Sequence, residues 1–82
     1  MKLPRNIGGN ELARLLVKYG YRIDRQEGSH LRLTSIIKGT GHHITIPKHK
    51  PLKVGTLNNI LTDIAEYLEI NKQSLIIELF EK

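Results

Sequence analysis

Tyr21-Arg22-Ile23-Asp24-Arg25-Gln26-Glu27-Gly28-Ser29-His30-Leu31-Arg32-Leu33-Thr34 holds two alternating runs, residues 21–25 and 30–34, separated by Gln26-Glu27-Gly28. Apolar and polar side chains exchanging at period two mark a half-buried strand, and two such runs joined by a short glycine-containing loop form a β-hairpin. A three-residue hairpin loop ends in a residue of positive φ, a position that suits Gly28. That register sets Arg25 against Ser29, Asp24 against His30, Ile23 against Leu31 and Arg22 against Arg32, which keeps every apolar pair on one face.

Outward from the hairpin, Leu12, Leu15, Leu16 and Tyr19 recur at helical spacing, so residues 10–19 read as a helix, capped by Asn10 or a preceding glycine and ended by Gly20. On the other side, His43-Ile44-Thr45-Ile46 reads as a third strand after the Lys38-Gly39-Thr40-Gly41 turn. Pro47 and Pro51 then bracket a basic loop, Lys48-His49-Lys50, that suits neither helix nor central strand. Beyond Gly55-Thr56, the residues Leu57, Ile60, Leu61, Ile64 and Leu68 form the strongest helical stripe in the chain. Asn71 reads as the N-cap of a last helix that closes the core with Leu75, Ile76, Leu79 and Phe80. The order α-β-β-β-α-α predicts an α+β fold, a three-stranded antiparallel sheet with helices packed on one face, in a single domain spanning residues 1–82. Tyr21, Ile23, Leu31, Leu33, Ile44 and Ile46 are expected to face inward. Arg22, Asp24, His30, Arg32, Thr34, His43 and Thr45 are expected on the open face.

A chain of 82 residues has room for one compact core. It has no cysteine, which excludes disulfides and thiolate metal sites and suits a reduced, cytoplasmic setting. No apolar run is long enough for a membrane span, and Met1-Lys2-Leu3-Pro4-Arg5 lacks the apolar stretch of a secretory signal, so a cytoplasmic location is expected. The net charge of +5 is unevenly placed: seven Lys/Arg lie between Arg22 and Lys53 against Asp24 and Glu27, whereas five acids face two lysines from Val54 onward. A basic central segment inside a more neutral frame points to one positive face and a polyanionic partner, most commonly nucleic acid.

His30 falls on that face among arginines. Cleaving RNA requires a base for a hydroxyl proton, an acid for the leaving oxygen and positive charge on the phosphorane, and imidazole serves the first two near neutral pH. Asp24, set against His30 by the inferred register, is the candidate partner for orienting the imidazole. The competing reading is an ordinary polar surface histidine. His42 and His43 point to opposite faces and cannot share one metal, and no metal or other cofactor is expected. His43 shares the open face with His30, two to four residue steps away. Lys48, Lys50 and Lys53, next to the start of a helix, read either as a phosphate-binding edge or as a solvated loop.

Two fragments, Asp24-Arg25-Gln26-Glu27-Gly28-Ser29-His30 and the run from His43 through Pro47-Lys48-His49-Lys50-Pro51 to Val54-Gly55-Thr56-Leu57, together resemble the HicA family. The first carries that family's Gly-Ser-His signature at the start of a strand, and the second its strand, basic loop and Gly-Thr-Leu helix start. Both follow a short amphipathic helix ending in Gly20-Tyr21, and the resemblance spans nearly the whole chain. It implies a double-stranded-RNA-binding-like fold and an mRNA interferase toxin of a toxin–antitoxin pair. Such a toxin cuts mRNA without the ribosome and is neutralised by a HicB-like antitoxin. The family's catalytic histidine corresponds to His30, its lead-in to Gly28 and Ser29. RNA contacts are then expected from Gly28, Ser29, Arg22, Arg25, Arg32, Lys48, Lys50 and Lys53.

Two other readings use the same surface: a module that holds double-stranded RNA without cutting it, and a protein-docking domain whose basic face meets an acidic partner. Only an enzyme would lose turnover, and keep RNA affinity, when His30 becomes Ala. If the imidazole is the base, cleavage rises with pH and persists in a chelator.

Overall fold

A computed structural model describes residues 3–81; Met1, Lys2 and Lys82 lie outside the described residues. The chain runs α1 (Gly9–Leu15), a 3₁₀ turn (Leu16–Tyr19), β1 (Arg22–Glu27), β2 (His30–Ser35), β3 (His42–Pro47), α2 (Val54–Leu68) and α3 (Lys72–Phe80). The three strands form one antiparallel sheet in the order β1-β2-β3, so the α+β fold expected from the sequence is the one observed.

The stripe on α2 explains the layer arrangement. Leu57, Ile60, Leu61, Ile64 and Leu68 are all buried, and they meet Leu31, Leu33, Ile44 and Ile46 from the inner face of the sheet. Leu12 and Leu16 join them from the first helical segment, and Leu75, Ile76 and Leu79 close the end of the same core, with Phe80 only partly buried against it. Each such aliphatic side chain contributes on the order of 1.5–3 kcal/mol by leaving water. Asn71 caps α3 as expected, its Oδ1 accepting the Ser74 N–H at 3.1 Å. Gly8 rather than Asn10 is the N-cap of α1, and Glu11 turns back to accept the Gly8 N–H at 3.1 Å. Helix α2 begins at Val54, so Gly55 and Thr56 lie in its first turn, and Lys53 as N-cap supplies no capping side chain.

The hairpin departs from the expected register. Its loop is the two-residue turn Gly28-Ser29, so Glu27 pairs with His30, Gln26 with Leu31 and Arg25 with Arg32. Gly28 has φ +55°, which a type II′ turn requires at its first central position and which glycine adopts without strain. Continued unbroken, that register would turn Ile23 to the solvent face. A β-bulge between Ile23 and Arg25 absorbs one residue, Asp24, and restores Ile23 opposite Leu33 and Arg22 opposite Thr34. Asp24 is therefore not opposite His30, Arg22 is not opposite Arg32, and Arg25 is not opposite Ser29. Apolar pairing still decides the face of Ile23, but the side chain stays 52% exposed because all of β1 lies at the sheet edge, outside the helical layer.

Glycine is also required where α1 meets the end of β3. A Cβ on Gly9 would lie 2.0 Å from the Pro47 carbonyl oxygen, so only glycine allows this approach. The Gly9 N–H donates to the His49 carbonyl at 3.0 Å, and the Leu52 N–H to that of Ile7 at 2.8 Å. The basic loop is thereby tied at two points to the start of the chain's first helix. No helix among the described residues is long and apolar enough to cross a membrane.

Candidate active site

His30 opens β2 on the exposed face, immediately after the Gly28-Ser29 turn. With Arg25, Glu27, Arg32 and Thr45 it lines a shallow depression of about 220 Å³. Three strands contribute: Arg25 and Glu27 from β1, His30 and Arg32 from β2, and Thr45 from β3, where it pairs with Arg32. Successive same-face residues on a strand are about 7 Å apart, so the Glu27/His30 pair and the Arg25/Arg32 pair stand one step apart on the same face. Two guanidinium groups side by side repel each other unless an anion lies between them, and a phosphodiester suits that position.

The basic loop adjoins this depression. The Lys48 N–H donates to the Ser29 carbonyl at 2.7 Å, which holds the loop against the turn that precedes His30, and Pro47 pairs with His30 across β2 and β3. Lys48 and Lys50 also line a second hollow with Gly8, Gly9 and Arg14, where Lys50 approaches Glu11 at 3.9 Å. Arg22 and Lys53 are not brought to His30. Arg22 pairs with Thr34, four positions along β2, and Lys53 precedes α2.

Asp24 takes a different part from the one its expected register implied. Its Oδ2 accepts the Thr34 hydroxyl and its Oδ1 lies 3.6 Å from Arg32 Nε. The Thr34 hydroxyl has one proton, and the carboxylate can only accept it. His43 Nδ1 lies 2.7 Å from the same hydroxyl oxygen and 3.3 Å from Arg32 Nη2. A chain from His43 through Thr34 to Asp24 thus steadies Arg32. Thr34 pairs with His43 and His30 with Pro47, which separates the two histidines by four positions, the far end of the expected range.

His42 and His43 do point to opposite faces. On the inner side, His42 Nδ1 lies 2.6 Å from the Tyr21 hydroxyl and Nε2 3.2 Å from Asp63 Oδ1, while Tyr67 stacks on the ring with centroids 4.6 Å apart. Burial, reinforced by the charges of Tyr67 and Asp63, pushes the Tyr21 phenol well above the ordinary tyrosine range. The phenol therefore keeps its proton and donates it to Nδ1, and Nε2–H donates to Asp63. Sequence reasoning missed this cluster because its members are 21 residues apart on either side of His42. It also missed Glu27 as a neighbour of His30, although Gly-Ser between two alternating runs is itself a two-residue turn signal.

A larger groove of about 530 Å³ runs between α1 and β1 on the helix side of the sheet, walled by Ala13, Val17 and Ile23. No imidazole or carboxylate lines it. Among the described residues no group of three or more His, Cys, Asp or Glu side chains is placed to hold a metal ion.

The family model described as HicA toxin of bacterial toxin–antitoxin matches residues 9–65, from the start of α1 to the middle of α2. Among curated proteins and among solved structures, none matches.

Proposed function

The chain belongs to the HicA toxin family, and from that membership we propose that it is an endoribonuclease that cuts mRNA at His30 and is neutralised by a HicB-like antitoxin. The observation that carries this reading is the position of His30 in a depression walled by Arg25, Glu27, Arg32 and Thr45. The arginines hold a phosphodiester, the imidazole transfers a proton at its ester oxygen, and developing negative charge falls on guanidinium groups already in place. The Gly28-Ser29 turn and the Lys48 main chain fix the approach to His30, while Lys48 and Lys50 extend the positive surface along the RNA backbone. Arg22 and Lys53 lie further out and add general attraction to the polyanion. The purine and pyrimidine faces meet no exposed aromatic platform here, so the backbone dominates recognition.

Cleavage of a defined mRNA by the purified chain and by His30→Ala tests the reading. The expected result is a loss of at least about 100-fold in turnover with unchanged circular dichroism and RNA affinity, and cleavage that persists in chelator. RNA bound but left uncut by both proteins would instead establish a double-stranded-RNA-binding module.

A further inference from the structure

The endoribonuclease reading leaves open which group removes the hydroxyl proton and which protonates the leaving oxygen. We propose that Glu27 is the general base and His30 the general acid, a division of roles that rests on that reading and extends it.

The two-residue turn is what brings these side chains together. Glu27 and His30 are direct cross-strand partners, and side chains so paired have Cβ atoms about 5 Å apart on one face of the sheet. Both line the same depression, and the Arg25/Arg32 pair stands beside them in it. The two carboxylates of the hairpin are differently engaged. Asp24 is held by Thr34 and Arg32, whereas Glu27 forms no ion pair among the described residues and stays exposed. The oxygens of a carboxylate can only accept, which suits Glu27 to taking a proton. The imidazole opposite it can carry the second proton. One carboxylate, one imidazole and two guanidinium groups on a single open face are the full set that transesterification of RNA requires.

The step balances without water or cofactor. The ribose 2′-oxygen forms a bond to phosphorus as its proton passes to the Glu27 carboxylate. The bond from phosphorus to the 5′-oxygen breaks, and that oxygen takes the proton of the His30 imidazolium. Arg25 and Arg32 hold the non-bridging oxygens throughout. The products are a 2′,3′-cyclic phosphate and a 5′-hydroxyl, and proton exchange with solvent returns both side chains to their starting states. Because the imidazole acts in its protonated form, cleavage falls as pH rises past neutrality. A histidine base would give the opposite slope.

The test compares the wild type, Glu27→Gln, Glu27→Asp and His30→Ala on one RNA across pH 5–9, with circular dichroism and RNA affinity measured for each. The proposal expects a bell-shaped profile for the wild type and product strands ending in cyclic phosphate. It expects a loss of about 100-fold or more in Glu27→Gln without loss of affinity, partial recovery in Glu27→Asp, and no cleavage where the scissile ribose lacks its 2′-hydroxyl. Glu27→Gln turnover within about threefold of wild type, or a rate that climbs steadily through neutral pH, would overturn the assignment while a dead His30→Ala left the endoribonuclease reading standing. A wild-type chain that binds RNA and never cuts it would overturn both.

Discussion

A one-residue difference in turn length moves Asp24 away from His30 and sets Glu27 opposite it. With Asp24 bonded to Thr34 and placed beside Arg32, its removal should loosen an arginine and leave proton transfer alone. Asp24→Asn is expected to lower kcat/KM by about twofold to fivefold, the range of one solvent-exposed ion pair, with the pH profile unchanged in shape. A profile that lost one of its limbs would mean that Asp24 itself handles a proton. The Tyr21 phenol gives a second residue-scale expectation. Folding raises its proton affinity, so the native state holds this proton more tightly than the unfolded chain does. That contribution is complete below the ordinary tyrosine range and is lost as pH climbs beyond about 10. Tyr19, raised by burial first and then by its bond to Glu78, adds to the same alkaline loss. Tyr21→Phe should cost about 1–2 kcal/mol at pH 7, because His42 Nδ1 loses its donor, and should flatten the fall of melting temperature above pH 10. Thermal unfolding of both proteins from pH 7 to 11 measures both effects. At this scale the place of His30 on the open face was legible in the sequence, because alternation along β2 carries it. His42 was not, since its role depends on side chains that only tertiary packing brings together.

Among the elements, long apolar stripes were read correctly and the length of the hairpin turn was not. All five residues of the α2 stripe are buried, because periodicity over 15 residues has few competing explanations. The hairpin register rested on one assumption about loop length, and the bulge at Asp24 conceals the error by returning Ile23 to its expected face. The same elements separate two kinds of glycine. Gly28→Ala meets no neighbouring atom, so its cost is the positive φ alone, about 1–2 kcal/mol. Gly9→Ala drives a methyl group into the Pro47 carbonyl and must shift α1 from β3, for at least about 2–3 kcal/mol. Urea unfolding should show that order, and Gly9→Ala should also weaken RNA binding, because the loop carrying Lys48 moves with its anchor. Glu69 provides the converse case. It ends α2 at φ +58°, where glycine is unstrained, so Glu69→Gly should raise stability by about 0.5–1 kcal/mol in the same assay.

Over the whole molecule, the positive charge read along the chain becomes a face. Arg25 and Arg32 line the His30 depression and Lys48 adjoins it, with Lys50 beside Lys48 in the second hollow, while Asp63, Glu66 and Glu69 sit on or just after α2. Three to five neutralised phosphates on a single strand give a salt slope of about −2 to −3.5. Affinity should therefore fall roughly 20- to 100-fold between about 50 and 200 mM monovalent salt. The same face is where an antitoxin must act if it inhibits by occlusion, and its inhibitory surface should then be acidic. The consequence is competition. With His30→Ala to prevent cleavage, the apparent Kd of a HicB-like antitoxin should rise in proportion to added RNA, and Arg25→Glu should weaken both partners. Glu66→Lys, an exposed change on α2, should weaken neither. If saturating RNA leaves antitoxin affinity unchanged, the antitoxin does not cover the depression, and the groove walled by Ala13, Val17 and Ile23 becomes the surface to mutate. Inhibition would then have to pass through the sheet, from the edge strand β1 to the Glu27 and Arg25 side chains that it carries.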